Sequence, residues 1–402
     1  MSVDNAHVDE LRPPERVLMA PGPTNLPSSV LRALTAPITG HKDPFFLRVM
    51  DETAQFLRTV YQTQNQTTLS LPGTGGAGME ASLANLIQDG DEVVVCQNGL
   101  FGERMADIVR RHGGIVAEVS APWGKPVDPD DVRKALANGR AKVVAVVHGE
   151  TSTGVQQQID PIGRIAGEHD AMLLVDAVAT LGGMPVVPDE WGSAICYSAS
   201  QKCISAPPGL STITVSDQAM ERIRSRKVPV DCWYFDLNLH DKYWFAEGRA
   251  YHHTAPVLMV YALREALRII VDEGLETRFE RHDLHRRALT AALESLELEF
   301  LPAPQDRLPT VLSILVPDNV DDARVRGALL NEFGIEIGGG LGPYTGKMWR
   351  IGVMGHSASR ENVLLFLSAM ETLLTREHYG LAPGTALAAA KAVYSEANGT
   401  GH

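Results

Sequence analysis

"LPGTGGAGMEASLANL", residues 71–86, sets Gly73, Gly75 and Gly78 in a GxGxxG spacing between a β-prone run, "TTLSL" (67–71), and a helix-forming one, "MEASLANLI" (79–87). A glycine-rich turn that opens a helix presents unpaired backbone N–H groups and the positive end of the helix dipole, so it suits an anion without any basic side chain. A nicotinamide dinucleotide also asks for an acid about 20 residues later, at the end of the next strand. Here that strand is "EVVVC" (92–96), and it runs out into Gln97 and Asn98. The turn therefore reads as a phosphate site of another kind, or as a plain packing turn.

Outward from the turn, short apolar runs alternate with amphipathic stretches: "KVVAVV" (142–147), "MLLVDAV" (172–178), "AICYSAS" (194–200) and "STITV" (211–215). That alternation implies an α/β fold with a mostly parallel central sheet covered on both faces. Polar residues gather where these strands end, in "HGETSTG" (148–154), at Asp176 and in "SQKC" (200–203). Ligands of open α/β sheets bind at the carboxyl ends of strands, so these segments are expected to share one site with the glycine turn. Near residue 260 a long helical stretch leads into a smaller α/β unit, with strands near "TVLSILV" and "KMWRIGVM" and helices near 321–333 and 360–375. The division is an arm (1–23), a large domain (24–260) and a small C-terminal domain (261–402). The Gly-rich "IGGGLGPYTG" (337–346) reads equally as a surface hairpin and as a substrate-gating loop.

The chain's 402 residues suffice for two domains, and a formal net charge of −13 with no block of like charges argues against nucleic acid or an anionic membrane as partner. Cys96, Cys196, Cys203 and Cys232 form no CxxC pair and read as reduced thiols of a cytoplasmic protein. The acids and prolines of "MSVDNAHVDELRPPERV" do not suit a targeting peptide, and no apolar run reaches ~18 residues.

Lys202, directly after an apolar strand and before Pro207–Pro208–Gly209, is poorly placed to reach solvent; alone it also reads as an edge charge or a paired structural one. Asp176 interrupts an apolar run, where a buried carboxylate is unfavourable by several kcal/mol unless a cation or good donors meet it. Pyridoxal phosphate needs a lysine for covalent attachment, a carboxylate to keep its ring nitrogen protonated and a phosphate cradle at a helix start. Lys202, Asp176 and the 73–78 turn supply that set, and Arg350 in "KMWRIGVMG" offers a planar fork to a carboxylate, although alone it reads as an ion-pair residue.

Several ordered motifs then accumulate: "APGPTN" (20–25), "HGETSTG", "LLVDAVATLGG" (173–183), "SASQKCISAPPG" (198–209), "YHHT" (251–254) and "LGPYTGKMWRIG" (341–352). With them the chain resembles the class V, fold-type I, pyridoxal-phosphate-dependent aminotransferases of the alanine–glyoxylate and serine–glyoxylate group, from "LMAPGPTNLP" to "ENVLLFLSAMETLL". The resemblance implies that Lys202 binds the cofactor covalently and shuttles a proton, that Asp176 pairs with the ring nitrogen and that Val178 packs on the ring. It implies phosphate contacts from Gly75, Gly76 and Gln201, stacking by Phe101, a hydroxyl near the ring from Thr151, and substrate contacts from Arg350, His41 and Asn25. Tyr251 and Thr254 would reach the phosphate of a partner subunit, so the site would need a homodimer.

The implied reaction is transamination from alanine or serine to glyoxylate or a similar short 2-oxo acid. The alternative is ureidoglycine–glyoxylate aminotransfer in purine catabolism, which "GLETRFERH", "YFDL" and the tail "YGLAPGTALAAAKAVY" favour. That branch is expected to place amide side chains where this chain has His41 and Tyr251, so it ranks second. No metal is expected: adjacent His252 and His253 point opposite ways on a strand and lack a third ligand.

Overall fold

A computed structural model describes residues 10–380 and 382–399; residues 1–9 of the expected arm and Leu381 of the quoted tail lie outside them. Seven strands form the central sheet: β1 (Thr67–Pro72), β2 (Glu92–Gln97), β3 (Ile115–Ser120), β4 (Ala141–Val147), β5 (Met172–Asp176), β6 (Ser193–Ala199) and β7 (Leu210–Val215), in the spatial order β1-β7-β6-β5-β4-β2-β3. Only β7 runs against its neighbours, pairing antiparallel with both β6 and β1. The near-continuous apolar runs of β2, β4 and β5 follow from burial on both faces, and β7 buries Ser211, Thr212 and Thr214 among its apolar residues. The edge strand β3 is half exposed and lacks such a run, which is why its sequence gives no strand signal.

Helix α1 (Gly75–Leu86) starts directly after β1 and lies across β6 and β7. The approach is so close that a Cβ at Gly78 would sit 2.1 Å from Ser211 Oγ and 3.0 Å from the Tyr197 ring, so this glycine is a packing requirement. Helix α2 (Leu100–Arg111) follows β2, and the shorter α3 (Leu237–Phe245) lies after the sheet is complete. The expected long helix is two, α4 (Val257–Glu273) and α5 (Leu275–Ser295), broken at Gly274 with φ +81°.

A second core forms around the small sheet of β8 (Val311–Leu315), β9 (Gly338–Gly339) and β10 (Met348–Gly352), covered by α5, α6 (Arg360–Arg376) and α7 (Thr385–Gly399). Buried residues of the first core continue through Ile270, past the expected division at 260, because α4 packs on the large-domain helices Ser28–Leu34 and Pro44–Tyr61. In α5 the second core takes over from Ala288, and it also claims Met19 from the arm. The arm is tied there by Val17–Leu18, which pairs parallel with Ile335–Glu336. Among the described residues, no helix is long and apolar enough to cross a membrane.

Arg278, on the first turn of α5, links these parts. It is buried, and it donates to Gly182 O (2.7 Å), Cys203 O (2.6 Å) and Glu273 (2.6 Å). Removing it strands two buried carbonyls, while Glu273 keeps its pairing with Arg281, so Arg278→Leu is expected to destabilise the protein by roughly 2 to 3 kcal/mol. Thermal unfolding beside an exposed control, Arg164→Leu, checks this. Equal midpoints in the two variants would remove Arg278 as a structural tie.

Candidate active site

The carboxyl ends of β1, β4, β5 and β6 converge on a cleft of about 620 Å³. Its walls include Gly75, Gly76, Phe101, Thr151, Asp176, Val178, Gln201 and Lys202, so eight of the expected site residues meet in one place.

Lys202 hangs from the turn between β6 and β7, and its Nζ donates to Pro21 O of the arm. Burial pushes its ammonium down to about 8, with Arg350 adding and Cys203 and Asp176 opposing, so about a tenth is the free amine at neutral pH. The arm crosses the lysine at contact distance. A Cβ on Gly22, whose φ is +97°, would lie 2.5 Å from Lys202 Cδ and 2.7 Å from Nζ.

Asp176 closes β5, fully enclosed. Its Oδ1 accepts from Val178 N–H (2.8 Å) and its Oδ2 from the Tyr197 hydroxyl (2.6 Å). Burial raises its pKa to about 6, while the Tyr197 and Val178 bonds, Lys202 and Arg104 pull it down. No arginine or lysine forms an ion pair with it among the described residues. A protonated ring nitrogen is a group of the kind such a carboxylate lacks.

At the start of α1, Thr74 makes no side-chain cap and, among the described residues, neither the Gly75 nor the Gly76 N–H has a protein acceptor. Gly75 packs so closely on Val178 that a Cβ there would come within 2.9 Å of Val178 Cγ2, whereas a Cβ on Gly76 would meet nothing within 4 Å. Gln201 Oε1 is buried without a partner, and the amide can present either end to a ligand. The glycine turn is thus an open anion cradle as well as a packing turn.

Arg350 reaches over from β10. Its Nε donates to Gly339 O (2.7 Å) and its Nη1 to Thr151 O (3.1 Å), which fixes the plane of the fork. Burial lowers its pKa to about 10 with Glu150 opposing, so it stays cationic. The loop that follows Gly339 is anchored, with Tyr344 stacked on Trp123 at 6.1 Å between ring centroids.

Three residues of the site carry no signal in the sequence pattern. Tyr197 lies on β6 and holds Asp176 across the strand pair. Glu150, raised to about 6 by burial, accepts from Phe101 N–H (3.0 Å) and Ser152 Oγ (2.6 Å) and so positions the Phe101 turn. Arg104 lines the cleft with its guanidinium 5.0 Å from the Phe101 ring centroid; only the i,i+3 spacing in "FGER" hints at a shared face.

Other expected residues lie elsewhere. Asn25 braces the arm, accepting from Leu18 N–H (2.8 Å) and donating to Arg16 O (2.8 Å), and it is not part of the cleft wall. His41 and Tyr251 sit together with ring centroids 5.3 Å apart, and Tyr251 shares a 3.2 Å hydrogen bond with Thr254. Tyr251 and Thr254 are exposed, and none of the three lines the cleft around Lys202.

The expectation that His252 and His253 diverge without a third ligand is corrected. The segment is not a strand, the two Nδ1 atoms face each other at 2.8 Å, and His240 from α3 joins them.

Comparison with known proteins places the chain. The family model described as "Aminotransferase class-V" matches residues 17–363. The chain is 39% identical to the (S)-ureidoglycine–glyoxylate transaminase of Bacillus subtilis, over 96% of this chain and 97% of that one. It is 38% identical to the alanine–glyoxylate aminotransferase of Drosophila melanogaster, over 92% and 94%. The solved ureidoglycine–glyoxylate aminotransferase structure from Bacillus subtilis superposes with a TM-score of 0.94 at 41% identity, covering 96% of this chain and all (100%) of that one.

The raised Asp176 has a consequence for stability. With its folded pKa near 6 against an ordinary 3.8, the folded protein holds the proton more tightly than the unfolded chain, so ionisation destabilises the fold as pH climbs from about 4 to 6. In protein stripped of bound small molecules, Asp176→Asn should be the more stable by roughly 3 kcal/mol at pH 7.5, shrinking to about 1 kcal/mol at pH 4.5. Unfolding midpoints at the two pH values check this; a pH-independent difference removes ionisation of Asp176 as the cause.

Proposed function

The chain belongs to the class V aminotransferases and is a transaminase of fold type I; on that premise we propose that it uses pyridoxal 5′-phosphate to pass the amino group of alanine or serine to glyoxylate or a similar short 2-oxo acid. The observation that carries the reading is one cleft holding a buried amine, a buried carboxylate without a cation and a helix start with unpaired N–H groups. These fit the cofactor's aldehyde, ring nitrogen and phosphate in turn.

Gly75, Gly76 and Gln201 would hold the phosphate, Asp176 the ring nitrogen, Val178 and Phe101 the two ring faces, and Lys202 the aldehyde carbon. When bound, the cofactor supplies an electron-withdrawing ring that stabilises negative charge at the substrate's Cα. Lys202 Nζ, with its pKa lowered toward neutrality, would carry the proton from that carbon to the cofactor's aldehyde carbon, and in the opposite direction during the other half of the cycle. Arg350, its plane fixed by two carbonyls, holds the carboxylate common to donor and acceptor. The arm over Lys202 shields the amine from water.

The reading extends to a cytoplasmic homodimer. All four cysteines are free thiols. Tyr251 and Thr254 are proposed to complete the phosphate site of a partner subunit, which their exposure and distance from their own cleft support. Around them Trp233 is 60% exposed and Tyr251 56%, a degree of aromatic exposure that suits an interface.

A second reading, ureidoglycine as donor, is favoured by the relative from Bacillus subtilis, whose 39% identity spans 97% of its length. Hydrogen-bond matching ranks it second. A ureido group presents several N–H donors and a carbonyl, and a pocket wall of His41 and Tyr251 offers fewer donor and acceptor sites than a pair of amides does. Each unmatched group loses roughly 1 to 3 kcal/mol.

Two outcomes are expected. Borohydride reduction of the purified yellow protein followed by peptide mapping should label Lys202, and Lys202→Ala should hold no cofactor covalently; a label on any other lysine sinks the assignment. In one coupled assay with glyoxylate, kcat/KM for alanine or serine should exceed that for ureidoglycine by about 10- to 100-fold. A higher value for ureidoglycine reverses the ranking.

A further inference from the structure

We propose that His240, His252 and His253 form a binding site for a borderline divalent transition-metal ion, Zn²⁺ in the first instance, beside the segment that carries Tyr251 and Thr254. The three side chains are buried, and one ligand atom from each lies within 4.8 Å of the others. Their rings meet pairwise, with centroids 4.5, 5.2 and 5.0 Å apart.

The hydrogen bonds around the cluster aim its lone pairs. His240 Nε2 lies 2.8 Å from Tyr234 O and His252 Nε2 lies 3.4 Å from Trp233 O. A carbonyl only accepts, so both Nε2 atoms carry the proton and both Nδ1 atoms present a bare lone pair. Carbonyl-anchored imidazoles of this kind are the usual outer support of a metal-ligating histidine. His240 Nδ1 is buried and has no hydrogen-bond partner, whereas His252 Nδ1 accepts from His253 Nδ1–H at 2.8 Å, so His253 ligates an ion through Nδ1 only after moving that proton to Nε2. Packing against Trp233 and Tyr234 accounts for where the rings lie, but not for a buried ring nitrogen left without a partner beside two other imidazoles.

The site also suits the ion chemically. Three nitrogens without a carboxylate select a borderline ion over Ca²⁺ or Mg²⁺ and leave a fourth position for water. Tetrahedral Zn–N bonds of about 2.0 to 2.1 Å set the nitrogens about 3.3 Å apart, which small ring rotations reach from the present spacing. Asp236, which caps α3, is close enough to His252 to offset part of the added charge. An ion here would clamp the irregular 251–254 stretch to α3 and so hold Tyr251 and Thr254 in place.

The proposal stands on the histidine geometry and is independent of the substrate. Untagged protein carrying its cofactor is cleared with a chelator, dialysed into metal-free buffer and titrated with ZnCl₂ by calorimetry, with elemental analysis after gel filtration. One Zn²⁺ per chain is expected, with a rise in unfolding temperature, and both should weaken by at least about 100-fold in affinity in His240→Leu. His252→Gln serves as the second variant should the first fail to fold. Absence of saturable binding, or equal binding by a folded variant, overturns the site and leaves the three rings as aromatic packing.

Discussion

Asp176 is a carboxylate enclosed by protein, held by one hydroxyl and one backbone N–H and met by no cation, and much of the large domain is arranged around that imbalance. β5 must end at this residue for its side chain to leave the sheet, and β6 must place Tyr197 beside it in register. Gly78 must lack a side chain so that α1 can close over Tyr197. The same closure brings the N–H groups of Gly75 and Gly76 to the far end of the cleft. A fold that keeps an unpaired carboxylate is less stable than it could be, and the imbalance is relieved when the group takes up a proton or when a positively charged group enters. Strain of this kind collects at functional sites because selection acts on the occupied state.

The second constraint is the covering of Lys202. Its amine is lowered chiefly by burial, and that burial depends on an arm belonging by packing to the other core, through Met19. The small domain therefore acts on the lysine without touching it. Arg350 on β10 has a similar double attachment, to Gly339 O on one side and Thr151 O on the other. Arg278 ties α5 to Cys203, the residue after the lysine. Motion between the two cores would alter the lysine's exposure and the arginine's aim together.

What the sequence made legible follows from where each residue sits in the physics. Strands buried on both faces announce themselves as apolar runs, and Asp176 and Lys202 stand out because each interrupts or ends one. The edge strand β3 carries no such run, and the break at Gly274 is hidden by helix formers on either side. Tyr197 and Glu150 escaped because their roles are set by neighbours across strands or in another segment, where a one-dimensional pattern holds no trace, whereas Arg104 left only its i,i+3 spacing to Phe101. The same holds for His240, separated from His252 by a helix and an irregular loop, and the strand assumed for "YHHT" turned its partners the wrong way. Asn25 shows the converse: a motif residue whose amide is occupied in bracing the chain.

The distribution of residues separates chemistry from selectivity. Lys202 and Asp176 lie in one cleft of one chain, at strand ends whose positions the central sheet fixes, and Arg350 reaches toward Thr151 of that cleft from the small sheet. His41 and Tyr251 lie on exposed irregular segments, contacting each other across more than 200 residues of sequence and little else of the core. If these residues wall the substrate pocket of a partner, donor preference can change by substitutions that leave the sheet, the lysine and the carboxylate untouched, as loops on a rigid scaffold allow. Relatives with nearly the same backbone then differ in donor for reasons confined to a few side chains, and an overall likeness with a TM-score of 0.94 carries less information about the donor than the ring contact between His41 and Tyr251.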